Sequence, residues 1–248
     1  MRVAGRLGLL GGTFDPFHNG HLAGARAARA ALTLDLVHVI PAHVPPHRPV
    51  QPHASAEHRF AMVALGIAGD EGILADDREL RRDELSFTSR TLAQFADEGW
   101  HASQIFFITG ADAFAEIATW RRYPEILDQA HFVVIARAGR SATSLRGEMP
   151  ALASRMRDLP AEAPKAPPPA APDIAEPVIW LVDADTPDVS ATRIREAVAA
   201  GRRITGETPP LVEQHILRHG LYRRTPSISS PAAGPAKAAS ALHEQEPA

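Results

Sequence analysis

The sequence of 248 residues contains no cysteine. Disulfide bonds, thiolate nucleophiles and zinc sites built on thiolates are therefore excluded. Lysine is scarce as well, because Lys165 and Lys237 are the only two, and both lie in segments rich in proline and alanine. A Walker-type phosphate loop ends in Gly-Lys-Ser/Thr, and no such string occurs. Positive charge in a folded core must come from arginine, histidine, backbone N–H groups or a metal ion.

Strong net charge and long apolar runs are also missing. The formal net charge of −3 gives no electrostatic reason to expect nucleic acid or a membrane surface as a partner. No apolar run is long enough to cross a bilayer, and the amino terminus lacks the apolar core of a signal peptide. We therefore expect a cytoplasmic protein. The 45% of hydrophobic residues is enough for the core of one α/β domain.

The most informative segment follows an apolar run, Leu7 to Leu10, that predicts a buried strand, and it precedes Ala23 to Leu32, which predicts a helix. It reads Gly11-Gly12-Thr13-Phe14-Asp15-Pro16-Phe17-His18-Asn19-Gly20-His21-Leu22. Glycines let the backbone approach a phosphate closely, and the first turn of a helix offers unpaired N–H groups to an anion. The spacing of His18 and His21 places both imidazoles on one face of that turn.

A second signature lies far downstream, at Val189-Ser190-Ala191-Thr192-Arg193-Ile194-Arg195. Ser190 is a suitable N-cap for an amphipathic helix, and Arg195 would add a forked cation beside the hydroxyl groups and free N–H groups of the helix start. Taken alone, this segment is better explained as an ordinary capped helix with surface arginines.

Strand-like and helix-like segments alternate along the chain. Further strands are predicted at Leu34 to Pro41, Gly72 to Ala75, Ile105 to Thr109, Phe132 to Ala136 and Val178 to Val182. Further helices are predicted at Ala56 to Ile67, Arg90 to Glu98, Ala113 to Trp120, Ala191 to Ala200 and Pro210 to His219. Short apolar strands between helices predict an α/β fold with a doubly wound, Rossmann-like parallel sheet and helices on both faces. Ligands bind such sheets at the carboxyl ends of the strands.

We expect one domain over residues 1–223. Residues 161–177 are dominated by proline and alanine and predict an extended surface insertion between the fifth and sixth predicted strands. Residues 224–248 are rich in serine, proline and alanine and predict a disordered tail.

Together, the two signatures resemble those of the H-x-G-H nucleotidyltransferase superfamily, although Ala191 replaces the usual second serine or threonine of its I-S-S-T-x-I-R motif. The middle of the chain narrows the resemblance. It contains P-P-H-R at 45–48, E-L-R-R-D-E-L-S-F-T-S-R-T-L at 79–92, G-A-D at 110–112, R-A-G at 137–139 and H-G-L-Y at 219–222. In this order, with Trp120 and Tyr123 after the third motif, they resemble the bacterial nicotinate-nucleotide adenylyltransferases.

That resemblance implies adenylyl transfer from ATP to nicotinate mononucleotide, which gives nicotinate adenine dinucleotide and pyrophosphate in NAD biosynthesis. The substrate phosphate would attack in line without a covalent enzyme intermediate. Mg²⁺ would be bound mainly through the ATP phosphates, with no metal site made of side chains. ATP and nicotinate mononucleotide would be the partners, and assembly as a homo-oligomer is compatible with the resemblance.

The same resemblance assigns the site residues. The catalytic groups would be His18, His21 and Arg195. The ATP-binding residues would be Gly11, Gly12, Thr13, Phe14, His18, Gly20, His21, Arg48, Gly110, Asp112, Ser190, Thr192 and Arg195. The residues that bind nicotinate mononucleotide would be Asp15, Phe87, Thr88, Trp120, Tyr123 and Arg137. We expect backbone N–H groups near Thr88 and near Trp120 to Tyr123 to bind the nicotinate carboxylate, with Arg121 and Arg122 free to point to solvent.

Several alternatives stay open. From the residues alone, Asp112 could bind ribose hydroxyls or cap a helix, and Trp120 could stack on a pyridine ring or belong to the core. We interpret His43, His47, His53 and His58 as unrelated to metal binding, because proline-punctuated spacing fixes no ligand geometry. The chain could also be a transferase for nicotinamide mononucleotide, phosphopantetheine or a sugar phosphate, a nucleotide-binding module without turnover, or an interaction scaffold built on its proline-rich segments.

Overall fold

The computed structural model describes residues 5–45, 51–136, 141–159 and 176–223. A sheet of seven parallel strands forms its centre, in the order β3-β2-β1-β4-β5-β7-β6. The strands are β1 (Leu7–Gly12), β2 (Leu36–Pro41), β3 (Ile73–Ala75), β4 (Ile105–Gly110), β5 (His131–Ile135), β6 (Met156–Leu159) and β7 (Ile179–Val182). The predicted Rossmann-like α/β fold is confirmed.

Seven α-helices accompany the sheet within the described residues. They are α1 (Asn19–Leu32), α2 (Ala56–Gly66), α3 (Thr88–Asp97), α4 (Ala111–Ala115), α5 (Leu145–Glu148), α6 (Ala191–Ala199) and α7 (Pro210–Arg218). Short 3₁₀ turns cover Ala102–Gln104, Ile117–Thr119, Glu125–Asp128, Ala142–Ser144 and Pro150–Arg155. No helix of the described residues is long and apolar enough to span a membrane.

The sheet separates two apolar cores, and β1 contributes to both. Leu7 and Leu9 belong to the core on one face, whereas Leu10 belongs to the core on the other. Burial on both faces explains why β1 is a continuous apolar run in the sequence. Gly8 of β1 leaves no room for a side chain, because a Cβ atom there would come within 2.8 Å of the Leu34 side chain and 2.9 Å of the Val37 side chain.

The order of the strands reverses between β1 and β4. From β1 the chain builds outward through β2 to β3, and β4 then starts the other half of the sheet on the opposite side of β1. A crevice opens beyond the carboxyl ends of strands at such a reversal point, and ligands of doubly wound sheets bind there. The glycine-rich segment that ends β1 therefore lies at the position where the fold provides a binding site.

One strand was missed, and the predicted extent of one helix was wrong. Strand β6 was not predicted, because Arg157 and Asp158 in its centre are exposed at the sheet edge and break the apolar pattern. The helix predicted from Ala113 to Trp120 ends at Ala115, and Trp120 has an extended backbone after the 3₁₀ turn.

The predicted insertion at 161–177 lies between β6 and β7 in the chain, and its residues 161–175 are outside the described residues. The predicted tail at 224–248 lies outside them as well. Both remain predictions.

Candidate active site

Two cavities meet at the loop after β1. The larger, which we call the histidine cavity, has a volume of about 420 Å³ and lies between the first turns of α1 and α6 and the end of β4. The smaller, which we call the tryptophan cavity, has a volume of about 240 Å³ and lies beside the start of α3. They share the lining residues Gly11, Gly12, Thr13, Thr109 and Ala113. Two ligands bound in these cavities would therefore face each other across the Gly11–Thr13 backbone.

The two histidines of the first signature lie together in the histidine cavity. Their rings are stacked, with centroids 3.6 Å apart and planes inclined by 17°. His18 is the N-cap of α1, and its backbone N–H donates to Nδ1 of His21 at 3.2 Å. Because Nδ1 of His21 accepts this bond, the proton of the neutral ring is assigned to Nε2.

The second signature forms the opposite wall of the same cavity. Ser190, Ala191, Thr192 and Arg195 all line it, and Ser190 is the N-cap of α6 as predicted. The Ser190 side chain makes no capping hydrogen bond to the first turn. Neither α1 nor α6 has an acidic residue in its first turn, so no carboxylate of either turn offsets the partial positive charge of the helix. The cavity is suited to a strongly anionic ligand.

Arg195 also fixes the loop after β1. Its Nη1 donates to the carbonyl oxygen of Asp15 at 2.6 Å, and its Nη2 donates to Oγ1 of Thr192 at 3.2 Å. One side chain thus links the two signatures, which are 180 residues apart in the sequence. The position of α6 and the shape of the glycine-rich loop therefore depend on each other.

The Asp15 carboxylate is occupied by three donors from the protein. It accepts hydrogen bonds from the backbone N–H groups of His53 at 2.7 Å and Ala54 at 3.1 Å, and from the hydroxyl of Tyr222 at 2.7 Å. Burial and the nearby Asp15 carboxylate raise the pKa of Tyr222, so that its hydroxyl stays a donor. Asp15 lines the histidine cavity and anchors the loop. Its predicted contact with nicotinate mononucleotide stays a prediction.

Arg59 is an organising residue that sequence reasoning missed. The side chain is 2% exposed, and its Nη1 donates to the carbonyl oxygens of Thr13 at 2.9 Å and Ala42 at 2.5 Å. Burial lowers the pKa of the guanidinium group. A signal was present in the sequence, because Arg59 lies three and four residues before Met62 and Val63, on the buried face of α2.

The tryptophan cavity brings together Phe87, Thr88 and Trp120, as predicted, and Arg121 as well. The Trp120 ring lies edge-on against Phe107, with centroids 5.9 Å apart. The guanidinium carbon of Arg121 lies 4.7 Å from the centre of the Phe87 ring. Arg121 is exposed to solvent, as expected, and it also lines this cavity, where its guanidinium group lies over the Phe87 ring.

Glu79 is the acidic residue of this cavity. Oγ1 of Thr91 donates to its carboxylate at 2.5 Å, and Ser86 forms a second side-chain hydrogen bond. Burial is the largest influence on Glu79 and raises its pKa above the ordinary value. The Glu79 carboxyl group is therefore hydrogen-bonded to Ser86 and Thr91, which also line the cavity.

The remaining predicted site residues do not all line the cavities. Of the other ATP-binding predictions, Phe14, Gly20 and Gly110 line the histidine cavity, whereas Asp112 is exposed in the first turn of α4 and lines neither cavity. Tyr123 packs against the core on the α3 side of the sheet instead of lining a cavity. Arg48 and Arg137 lie outside the described residues. Among the described residues, no group of three or more histidine, aspartate or glutamate side chains could hold a metal ion.

Known proteins similar to this chain are nucleotidyltransferases. A profile of the cytidylyltransferase-like family matches residues 9–197. A protein of Aeromonas hydrophila named "Probable nicotinate-nucleotide adenylyltransferase" is 39% identical over 217 residues, which cover 88% of this chain and 97% of that protein. A protein of Pseudomonas syringae pv. tomato with the same name is 39% identical over 227 residues, with coverage of 91% and 97%.

Solved structures show the same architecture. Nicotinic acid mononucleotide adenylyltransferase from Plasmodium falciparum, in a complex with NaAD, superimposes with a TM-score of 0.64 at 16% identity. The match covers 88% of this chain and 98% of that one. At this identity the likeness concerns the fold.

Proposed function

Since this chain belongs to the nicotinate-nucleotide adenylyltransferase family, within the cytidylyltransferase-like proteins, we propose that it transfers the adenylyl group of ATP to nicotinate mononucleotide. The products are nicotinate adenine dinucleotide and pyrophosphate. The observation that carries the proposal is the pair of cavities that share the Gly11–Thr13 wall. One cavity suits a polyphosphate and the other suits a flat ring, and the reacting phosphates would meet at their junction.

The nucleophile needs no general base. The second pKa of a phosphate monoester is about 6, so the 5′-phosphate of nicotinate mononucleotide is already mostly a dianion at neutral pH. One of its oxygens attacks the α-phosphorus of ATP. A new P–O bond forms there, the bond to the β-phosphate bridge breaks, and pyrophosphate leaves with the electron pair. The protein must bring two anions together in line and stabilise the charge that builds on the leaving group.

The described residues fit that task. The α-phosphate would lie against the backbone of Gly12 and Thr13, where the two cavities meet. His21, held with Nε2 as its donor nitrogen, and His18 would stabilise the leaving pyrophosphate. The first turn of α6 would bind the triphosphate, while Arg195 holds this turn against the loop. No step requires a covalent bond to the enzyme.

Magnesium would enter with the nucleotide. Of the acidic residues that line the histidine cavity, Asp15 already accepts three hydrogen bonds and Asp188 pairs with Arg193 at 2.8 Å. These engagements support an ion held mainly by phosphate oxygens and water. When bound, Mg²⁺ neutralises charge on the polyphosphate. A cytoplasmic location and a homo-oligomeric state stay predictions.

A panel of acceptors tests the function. Pyrophosphate release from ATP is measured with nicotinate mononucleotide, nicotinamide mononucleotide and phosphopantetheine, each added separately. We expect rapid release with nicotinate mononucleotide and little with the others. Faster turnover of another acceptor would reassign the substrate, and absence of release with all of them would favour a nucleotide-binding module without turnover.

A further inference from the structure

The tryptophan cavity has few charged groups. Among the described residues that line it, Glu79 and Arg121 are the only ones with ionisable side chains. The Glu79 carboxyl group is engaged by Thr91 and Ser86, and burial raises its pKa. Arg121 is therefore the one cationic side chain that the described residues present to a ligand there. Both lysines of the sequence lie outside the described residues.

Arg121 is held in place without a carboxylate partner. Its guanidinium group lies over the Phe87 ring at 4.7 Å, and no acidic group of the described residues forms an ion pair with it. Two other arginines of this region are paired with carboxylates, Arg90 with Glu84 and Arg78 with Asp76. The full charge of Arg121 is thus available to a ligand, and the aromatic ring limits its freedom before the ligand arrives.

A second source of positive potential borders the same cavity. Helix α3 begins at Thr88, directly after Phe87, and neither a side-chain cap nor an acidic residue of the first turn offsets its partial positive charge. The guanidinium group stacked on Phe87 and the start of α3 therefore act on the same side of the cavity.

We propose that Arg121 is a specificity-determining residue, which binds the carboxylate of the pyridine ring and selects the acid over the corresponding amide. This inference rests on the proposed function. A carboxylate offers two oxygens to a guanidinium fork, whereas an amide offers one oxygen and an NH₂ group that would face other donors. The guanidinium group attracts the carboxylate of the acid, whereas the NH₂ group of the amide would be left without an acceptor. Both effects favour the acid.

The test compares kcat/KM for nicotinate and nicotinamide mononucleotides in wild type, Arg121→Gln and Arg121→Lys. Arg122→Gln is the matched control, because it removes the same charge from the next residue, which does not line the tryptophan cavity. We expect Arg121→Gln to lower the acid-to-amide ratio of kcat/KM about tenfold or more, through a higher KM for the acid at an unchanged KM for ATP. Arg121→Lys should fall in between, and Arg122→Gln should match wild type.

A measurement on wild type alone gives an independent check. Both mononucleotides carry the same phosphate. A difference in how their kcat/KM values depend on salt therefore reports on the carboxylate or amide of the ring. The acid-to-amide ratio should fall as KCl rises from roughly 0.05 to 0.5 M, because salt screens an exposed guanidinium. A ratio within twofold of wild type in Arg121→Gln, or a ratio that salt does not change, would overturn the inference. Absence of turnover of the acid by wild type would instead overturn the proposed function.

Discussion

The stacked imidazoles of His18 and His21 should have the largest effect on turnover of any single side chain. Replacing either with alanine would remove the N–H donor that we propose for the departing pyrophosphate, and loss of one such donor costs roughly 10²-fold in kcat. His53→Ala is the control, because its side chain is exposed and its backbone N–H, which binds Asp15, is retained. Steady-state pyrophosphate release measures the effect. Near-normal kcat in both His18→Ala and His21→Ala would contradict the proposed roles.

Trp120 should affect one substrate and leave the other unchanged. Because stacking of a base on an aromatic ring contributes about 1–3 kcal/mol, Trp120→Ala should raise the KM for nicotinate mononucleotide about tenfold or more. The KM for ATP should stay within about twofold, because Trp120 does not line the histidine cavity.

Trp100→Ala controls for lost packing in the Trp120 experiment. Trp100 is partly buried against the same core but lines neither cavity. An equal rise in both KM values of Trp120→Ala would show that Trp120 is only a core residue.

At the scale of elements, the segment after α7 is hydrogen-bonded to the loop after β1. Tyr222 follows α7 and donates its hydroxyl proton to the buried carboxylate of Asp15 at 2.7 Å. Tyr222→Phe keeps the ring and removes this donor, which should lower the free energy of unfolding by about 1–3 kcal/mol. Turnover should fall as well, because the loop that joins the two cavities loses an anchor.

Urea unfolding and pyrophosphate release together test the role of Tyr222. Tyr123→Phe is the matched control, since Tyr123 lines neither cavity and its hydroxyl has no hydrogen bond within the described part of the chain. If Tyr222→Phe were as stable and as active as Tyr123→Phe, the bond to Asp15 would have no organising role.

Strand β5 begins with a histidine that should make stability depend on pH. His131 is fully buried, stacks on Phe106 and accepts the Val178 N–H at Nδ1, and burial lowers its pKa from 6.5 to about 4. Between these two values the unfolded chain takes up a proton that the folded protein does not. The free energy of unfolding should therefore fall by about 2 kcal/mol between pH 7 and pH 5 because of this residue.

The His131 prediction is checked by urea unfolding at both pH values. His131→Gln should lose that part of the pH dependence, whereas His101→Gln, at an exposed site, should retain it. An unchanged dependence in His131→Gln would show that His131 titrates normally in the folded protein.

Helices and strands with a clear local pattern of apolar residues could be predicted from the sequence. Elements that depend on tertiary contacts could not. The apolar run of β1 and the start of α6 after its N-cap residue Ser190 were found because local residues determine them. Strand β6 was missed because pairing with β7 at the sheet edge determines it, and its exposed residues are charged. The end of α4 was misplaced because the predicted helix continues as a 3₁₀ turn after Ala115, and no proline or glycine marks the change.

At the scale of the whole molecule, the sequence motifs indicated where the site lies. They did not indicate the hydrogen bonds that hold its loop in position. The two signatures predicted the histidine cavity, because the carboxyl ends of parallel strands meet at one edge of the sheet. The bonds that hold the loop join distant segments, as in the contacts of Asp15 with Arg195 and Tyr222, and of Arg59 with Thr13. Such contacts depend on the folded arrangement of α2, α6 and the end of α7, so no local pattern reveals them.

The central claim is that the fold brings two phosphates together at Gly11–Thr13 for direct transfer from ATP to nicotinate mononucleotide. A single-turnover reaction with ATP labelled at the α-phosphate tests it most directly. We predict that the label appears in the dinucleotide at the same rate as pyrophosphate is released, only when nicotinate mononucleotide is present, and that none stays on the denatured protein. Label bound to the protein, or pyrophosphate release without the acceptor, would contradict direct transfer. Failure to form any labelled dinucleotide would contradict the function itself.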